Sequence, residues 1–128
     1  MSGGFLKYLA IGAAGFLGAL ARYLITGMTR SVAGSAFPWG TLVVNISGSF
    51  LLGLMYAATA QRAIIDPQWR LVIAVGFIGS YTTFSTFSLE TFKLLEAGNW
   101  PAATGNILGS LIVSLAAVYS GIALGRLV

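Results

Sequence analysis

Where the charges are missing constrains this chain most. Uncharged runs extend over residues 31–61, 71–89 and 97–125. Each is long enough for the ~20 residues that carry a helix across a ~30 Å hydrocarbon core. A fourth span is shorter: residues 8–21 alone fall below that length, but the long stems of Lys7 and Arg22 can snorkel and extend it to about 5–27. Only 8% of the residues are charged, against roughly 25% in an ordinary soluble domain. The chain therefore reads as an all-α integral membrane protein, a single transmembrane domain over residues 1–128 with helices at about 5–27, 39–60, 69–95 and 102–127.

The tryptophans agree with those limits. Trp39, Trp69 and Trp100 fall at predicted helix ends close to Pro38, Pro67 and Pro101, as expected of an interfacial aromatic belt and of prolines at helix starts. A cleavable signal peptide is not expected, because the first apolar segment outruns the usual 7–15-residue core. With no cysteine and no histidine, the chain has no disulfide, no thiolate metal site and no imidazole proton relay. Its net charge of +4 is spread over helix ends without a basic run, so nucleic acid is not an expected partner.

Charge counting leaves the orientation open. Lys7, Arg62, Arg70 and Arg126 fall on one side and Arg22, Arg30 and Lys93 on the other, four against three. Either Arg22 is buried and leaves the count, or the chain inserts both ways and matures as an antiparallel dimer. Four helices can hardly enclose a pathway and still present a wholly apolar exterior, which also argues for oligomerisation. Small-residue sets at Gly12/Gly15/Gly18, Gly48/Ser49/Gly53, Gly105/Gly109 and Gly121/Gly125 offer close helix contacts.

Polar groups inside the spans hold the functional signal. Thr41, Asn45 and Ser49 recur at i, i+4 and i+8 on one face of the second helix, and Asn106, Ser110 and Ser114 repeat the spacing on the fourth. Such stripes face a bundle interior or a watery cavity, or else bond locally to their own helix. Asn45 can donate to a dehydrated anion or make an interhelical hydrogen bond. The stretch from Gly79 to Ser88 carries seven hydroxyls in ten residues. With its initial glycine and three threonines it predicts a broken helix, whose freed carbonyls could hold a cation. Phe84 and Phe87 share a helical face there; they either pack or turn positive ring edges toward an anion.

The remaining charges are less telling. Arg22 can draw anions into a vestibule or snorkel to lipid phosphate, and Glu90 with Lys93 reads as a surface pair. No acid is expected in the apolar middle of a span, and no catalytic constellation is present, so the chain is not expected to be an enzyme.

Taken together, GALARY at residues 18–23, GTLVVNISGSF at 40–50 and GFIGSYTTFSTFSLE at 76–90 resemble the Fluc (CrcB) family of small fluoride channels. The resemblance covers nearly the whole chain in length, helix count and motif order. It implies an antiparallel, dual-topology homodimer in the bacterial inner (plasma) membrane, with two pores that release fluoride passively and confer fluoride resistance. By position in the motifs, Asn45, Phe84 and Phe87 would line the pore, with Thr41, Ser110 and Ser114 adding hydroxyls. Arg22 would stand at the vestibule. Main-chain carbonyls of Gly79 and Thr82 would hold a structural sodium ion at the dimer interface, with no organic cofactor. The partners it implies are fluoride, the lipid bilayer and a second copy of the chain. Two alternatives stand beside it: a small four-helix proton-coupled exporter, which should carry a glutamate in its first helix where this chain has only Arg22, and a non-transporting assembly subunit.

Overall fold

The computed structural model describes residues 3–128, so the first two residues of the expected domain lie outside the described ones. Among the described residues every regular element is helical and none is a strand. Helix α1 spans Gly4–Ala33 and α2 spans Trp39–Tyr56, prolonged by a π-helical stretch over Ala57–Gln61. Helix α3 opens as Pro67–Leu71, widens to π-helical winding over Val72–Ile78 and closes with the turn Gly79–Tyr81. Helix α4 spans Phe84–Glu96 and α5 spans Trp100–Leu127. With α3 and α4 taken as one interrupted crossing, Pro67–Glu96, four helical segments are long and apolar enough to cross a membrane.

Local chemistry sets the ends. Asp66 accepts a 2.8 Å hydrogen bond from the Gln68 N–H, and Pro67 follows at the first helical position, where no backbone donor is needed. Asn99 caps α5 in the same way, accepting from the Ala102 N–H at 3.3 Å, with Pro101 in the first turn. Helix α1 continues past the expected limit near residue 27 to Ala33. Thr26 and Thr29 donate back to the carbonyls of Arg22 and Ile25 within it, Arg30 suits its negative C-terminal end, and Gly34 at φ 81° stops it.

The interior mixes apolar residues such as Val44, Ala57 and Ala103 with polar ones, and the exterior is largely apolar. Thr41, Thr91, Asn106 and Ser110 are buried, whereas Leu9, Phe16, Tyr23, Leu111, Ile112 and Tyr119 face outward. Large apolar side chains facing outward suit a hydrocarbon solvent, not water. Helix α2 packs most extensively on α5, and α1 lies across the π-helical part of α3 and beside α2. Both crossings depend on absent side chains: a Cβ at Gly121 would collide with the Phe50 carbonyl, and one at Gly18 with the Phe77 carbonyl. Gly12, Gly105 and Gly109, expected as contact positions, meet nothing within 4 Å. The chain is thus a multi-pass helical membrane protein.

Candidate pore site

The site is built on the interruption between α3 and α4. Thr82 (φ −86°, ψ 158°) and Thr83 (φ −151°, ψ 122°) are extended, a conformation that β-branched residues tolerate well. Thr83 then caps α4, its hydroxyl accepting from the Thr86 N–H at 3.2 Å. The glycine expected to cause the break does not: Gly79 is helical at φ −61°, ψ −33°. The break falls after it, where a second helix competes for the backbone.

That competitor is Asn45. Its Oδ1 accepts from the Thr83 N–H at 2.8 Å and its Nδ2 donates to the Thr83 carbonyl at 3.0 Å. One side-chain amide thus pairs with both backbone groups of one residue, as a neighbouring strand would. The i+4 donor that would satisfy Gly79 is thereby diverted, and the one for Thr82 goes to the Thr83 hydroxyl. Arg22, from α1, donates through Nε to the Ser80 carbonyl at 3.1 Å. Its guanidinium turns inward to the break rather than outward to a membrane surface. Ser47 and the Tyr81 hydroxyl, 2.8 Å apart, join α2 to the last turn of α3.

Most of the hydroxyls between residues 79 and 88 therefore serve the break itself. Thr82 and Ser88 donate to the Ile78 and Phe84 carbonyls, Thr83 donates to the Thr86 hydroxyl, and Tyr81 reaches Ser47. These bonds satisfy much of the interruption internally, as hydrocarbon requires, while the Gly79 and Thr82 carbonyls lose their helical donors.

A cavity of about 510 Å³ opens beside this junction. Five of the six expected pore residues line it: Asn45 from α2, Phe84 and Phe87 from α4, and Ser110 and Ser114 from α5. Ser49 and Thr82 contribute as well. The Phe84 and Phe87 rings lie with centroids 5.6 Å apart, tilted by 44°. Phe84 is 79% exposed, so within one chain it is not core packing.

Thr41 is elsewhere. It lines a second cavity of about 440 Å³ with Arg30, Glu90 and Lys93, and donates to Glu90 Oε1 at 3.0 Å. Glu90 is thus turned toward α2, not held in a surface pair with Lys93, and its Oε2 is buried with no hydrogen-bond partner among the described residues. A further polar link runs from Ser110 to Asn106 Oδ1 (3.3 Å) and from Asn106 Nδ2 to the Thr91 hydroxyl (2.9 Å). Thr91 escaped the sequence reading; its place one helical turn beyond Phe87, on the face that meets α5, was the available signal. Gly79 and Arg22 do not line the 510 Å³ cavity.

These features define a class: a small multi-pass membrane protein with an interrupted helix held open by a neighbouring asparagine, beside a largely apolar cavity into which a few neutral donors and aromatic rings are set. The profile described as "CrcB-like protein, Camphor Resistance (CrcB)" matches residues 9–122. Relatives named "Fluoride-specific ion channel FluC" include that of Koribacter versatilis (strain Ellin345), 47% identical over 120 residues, covering 94% of this chain and 95% of the relative. That of Geobacter sulfurreducens is 47% identical over 118 residues (92% and 95%) and that of Hahella chejuensis 48% over 123 residues (96% and 95%). The chain belongs to the CrcB family.

Proposed function

We propose that this chain forms a passive fluoride-selective channel, not an enzyme. The observation that carries the reading is the gathering of Asn45, Phe84, Phe87, Ser110 and Ser114 on one cavity, in a chain 47% identical to a relative named as a fluoride-specific channel. Fluoride is small and strongly hydrated, so a pore must replace its water without a fixed charge that would hold it too firmly. Ser114 supplies a hydroxyl donor, and Ser110 supplies one when its O–H leaves Asn106 Oδ1. Asn45 spends its oxygen and one N–H on Thr83, leaving the second Nδ2 hydrogen as a donor. Phe84 and Phe87 offer positive ring edges. Thr41 extends the reading toward the end where α2 begins, and Arg22 acts on the break itself through the Ser80 carbonyl.

The working unit is an antiparallel homodimer with two pores in the bacterial inner membrane, where fluoride leaving down its gradient confers resistance. The exposure of Phe84 beside an open cavity supports completion by a second copy. Gly79 and Thr82 suit a structural sodium ion at the dimer centre, since both carbonyls have lost their regular helical donors to Asn45 and Thr83. A bound cation there supplies the positive charge that such carbonyls favour.

Efflux from liposomes loaded with fluoride or chloride, under a potassium-ionophore clamp, tests the proposal. Rapid fluoride release with negligible chloride release is expected; no fluoride release from folded dimer would overturn it. The buried, unpartnered Oε2 of Glu90 supports a second reading, proton-linked export. That reading requires fluoride flux to follow an imposed pH gradient, whereas a passive channel follows the fluoride gradient and voltage.

A further inference from the structure

A third cavity, of about 380 Å³, lies between α2, α3 and α5. Its walls are apolar, including Leu52, Met55, Tyr56, Val75 and Ile122, while Thr59 and Arg70 stand at one end. Two of its walls carry the π-helical stretches, Thr59 lying in Ala57–Gln61 and Val75 in Val72–Ile78. Such widened turns recur at functional sites. The Thr59 end is at the membrane surface, since Arg70 follows Trp69 in the first turns of α3. From Thr59 the groove descends along α2 to Leu52, about 10 Å at 1.5 Å per residue.

The polar groups at the mouth indicate what fits there. Thr59 already donates to the Met55 carbonyl at 2.7 Å. Asp66, one turn before Arg70, accepts from the Gln68 N–H. At the same end, Arg62 donates to the Arg126 carbonyl and Arg126 to Gln61 Oε1. Arg70 is exposed and, among the described residues, its guanidinium has no hydrogen-bond or ion-pair partner. A free guanidinium over an apolar groove about two turns deep matches a phosphate joined to an acyl chain.

We infer that this groove is a binding site for an anionic phospholipid, with Arg70 on the phosphate and an acyl chain lying between Tyr56, Val75 and Ile122. A zwitterionic headgroup fits less well, because the nearest carboxylate, Asp66, already accepts from the Gln68 N–H and is not part of the groove lining. The groove shares Leu52 and Val118 with the 510 Å³ cavity, so the inference requires that the second copy proposed above leave the Arg70 end open to lipid.

Tryptophan quenching tests it in the reconstituted dimer carrying Trp39→Phe and Trp100→Phe, which leaves Trp69 as the reporter. The probes are phosphatidylglycerol and phosphatidylcholine brominated near the carbonyl end of one acyl chain. The expected result is an enrichment of phosphatidylglycerol at Trp69 of about fivefold, the ratio one surface arginine supplies. Arg70→Gln should abolish the preference and Arg70→Lys should retain it. Ala74→Phe, which fills the groove, should lower quenching by both lipids. Equal quenching by the two lipids, as when a second copy covers the groove, or a preference that survives Arg70→Gln, would overturn the site. Unchanged quenching in Ala74→Phe would remove the acyl chain from the groove.

Discussion

Asn45 does two things with one amide, and they can be separated. Asn45→Asp keeps an acceptor for the Thr83 N–H but replaces the donor facing the Thr83 carbonyl with a second oxygen, so both the clamp and the spare donor are lost. Fluoride efflux should fall more than tenfold and thermal stability should drop, by about 1–3 kcal/mol for an unsatisfied buried group. Phe84→Ile should behave differently. That ring is 79% exposed in the single chain, so its replacement should leave the folded protomer intact while fluoride flux in liposomes is strongly reduced. Wild-type flux in Phe84→Ile would remove the ring from the pathway.

At the scale of helices, close approach rather than amphipathic patterning holds the bundle together. With hydrocarbon outside, one apolar face gains little over another, so contacts form where backbones can come nearest. Gly18→Leu would drive a side chain into the Phe77 carbonyl and push α1 off α3, carrying with it the Arg22 bond to Ser80. A loss of about 1–3 kcal/mol or more is expected from such overpacking, read as a lower unfolding midpoint in detergent. Gly12→Leu, six residues earlier with nothing within 4 Å, should leave the midpoint unchanged.

At the scale of the whole molecule, the inward turn of Arg22 alters the orientation argument. Without it the basic residues stand at Lys7, Arg62, Arg70 and Arg126 against Arg30 and Lys93, four against two, still a weak bias. The chain has no cysteine, so Ser35→Cys places a single thiol in the loop between α1 and α2. For the antiparallel dimer, an impermeant thiol reagent should label about half the protein from each side of sealed vesicles. Labelling from one side only would refute dual insertion. Replacing sodium with a large organic cation should loosen the dimer on size exclusion and speed hydrogen exchange around Thr82; no change in either would remove the cation from Gly79 and Thr82.

The membrane class and the four crossings were legible because charge placement and span length are properties of the chain read in one dimension. So was the neighbourhood of the break, from its hydroxyl density and adjacent threonines. Its exact position was not, because Gly79 stays helical and the interruption falls where Asn45, 38 residues away, takes the Thr83 backbone. Glu90 and Thr41 show the same limit: i, i+3 spacing pointed to Lys93, but the carboxylate turned to a hydroxyl on another helix. Hydropathy says which segments enter the bilayer. Only the packed structure decides which polar groups meet there, since each buried donor or acceptor takes whatever partner the fold brings within reach.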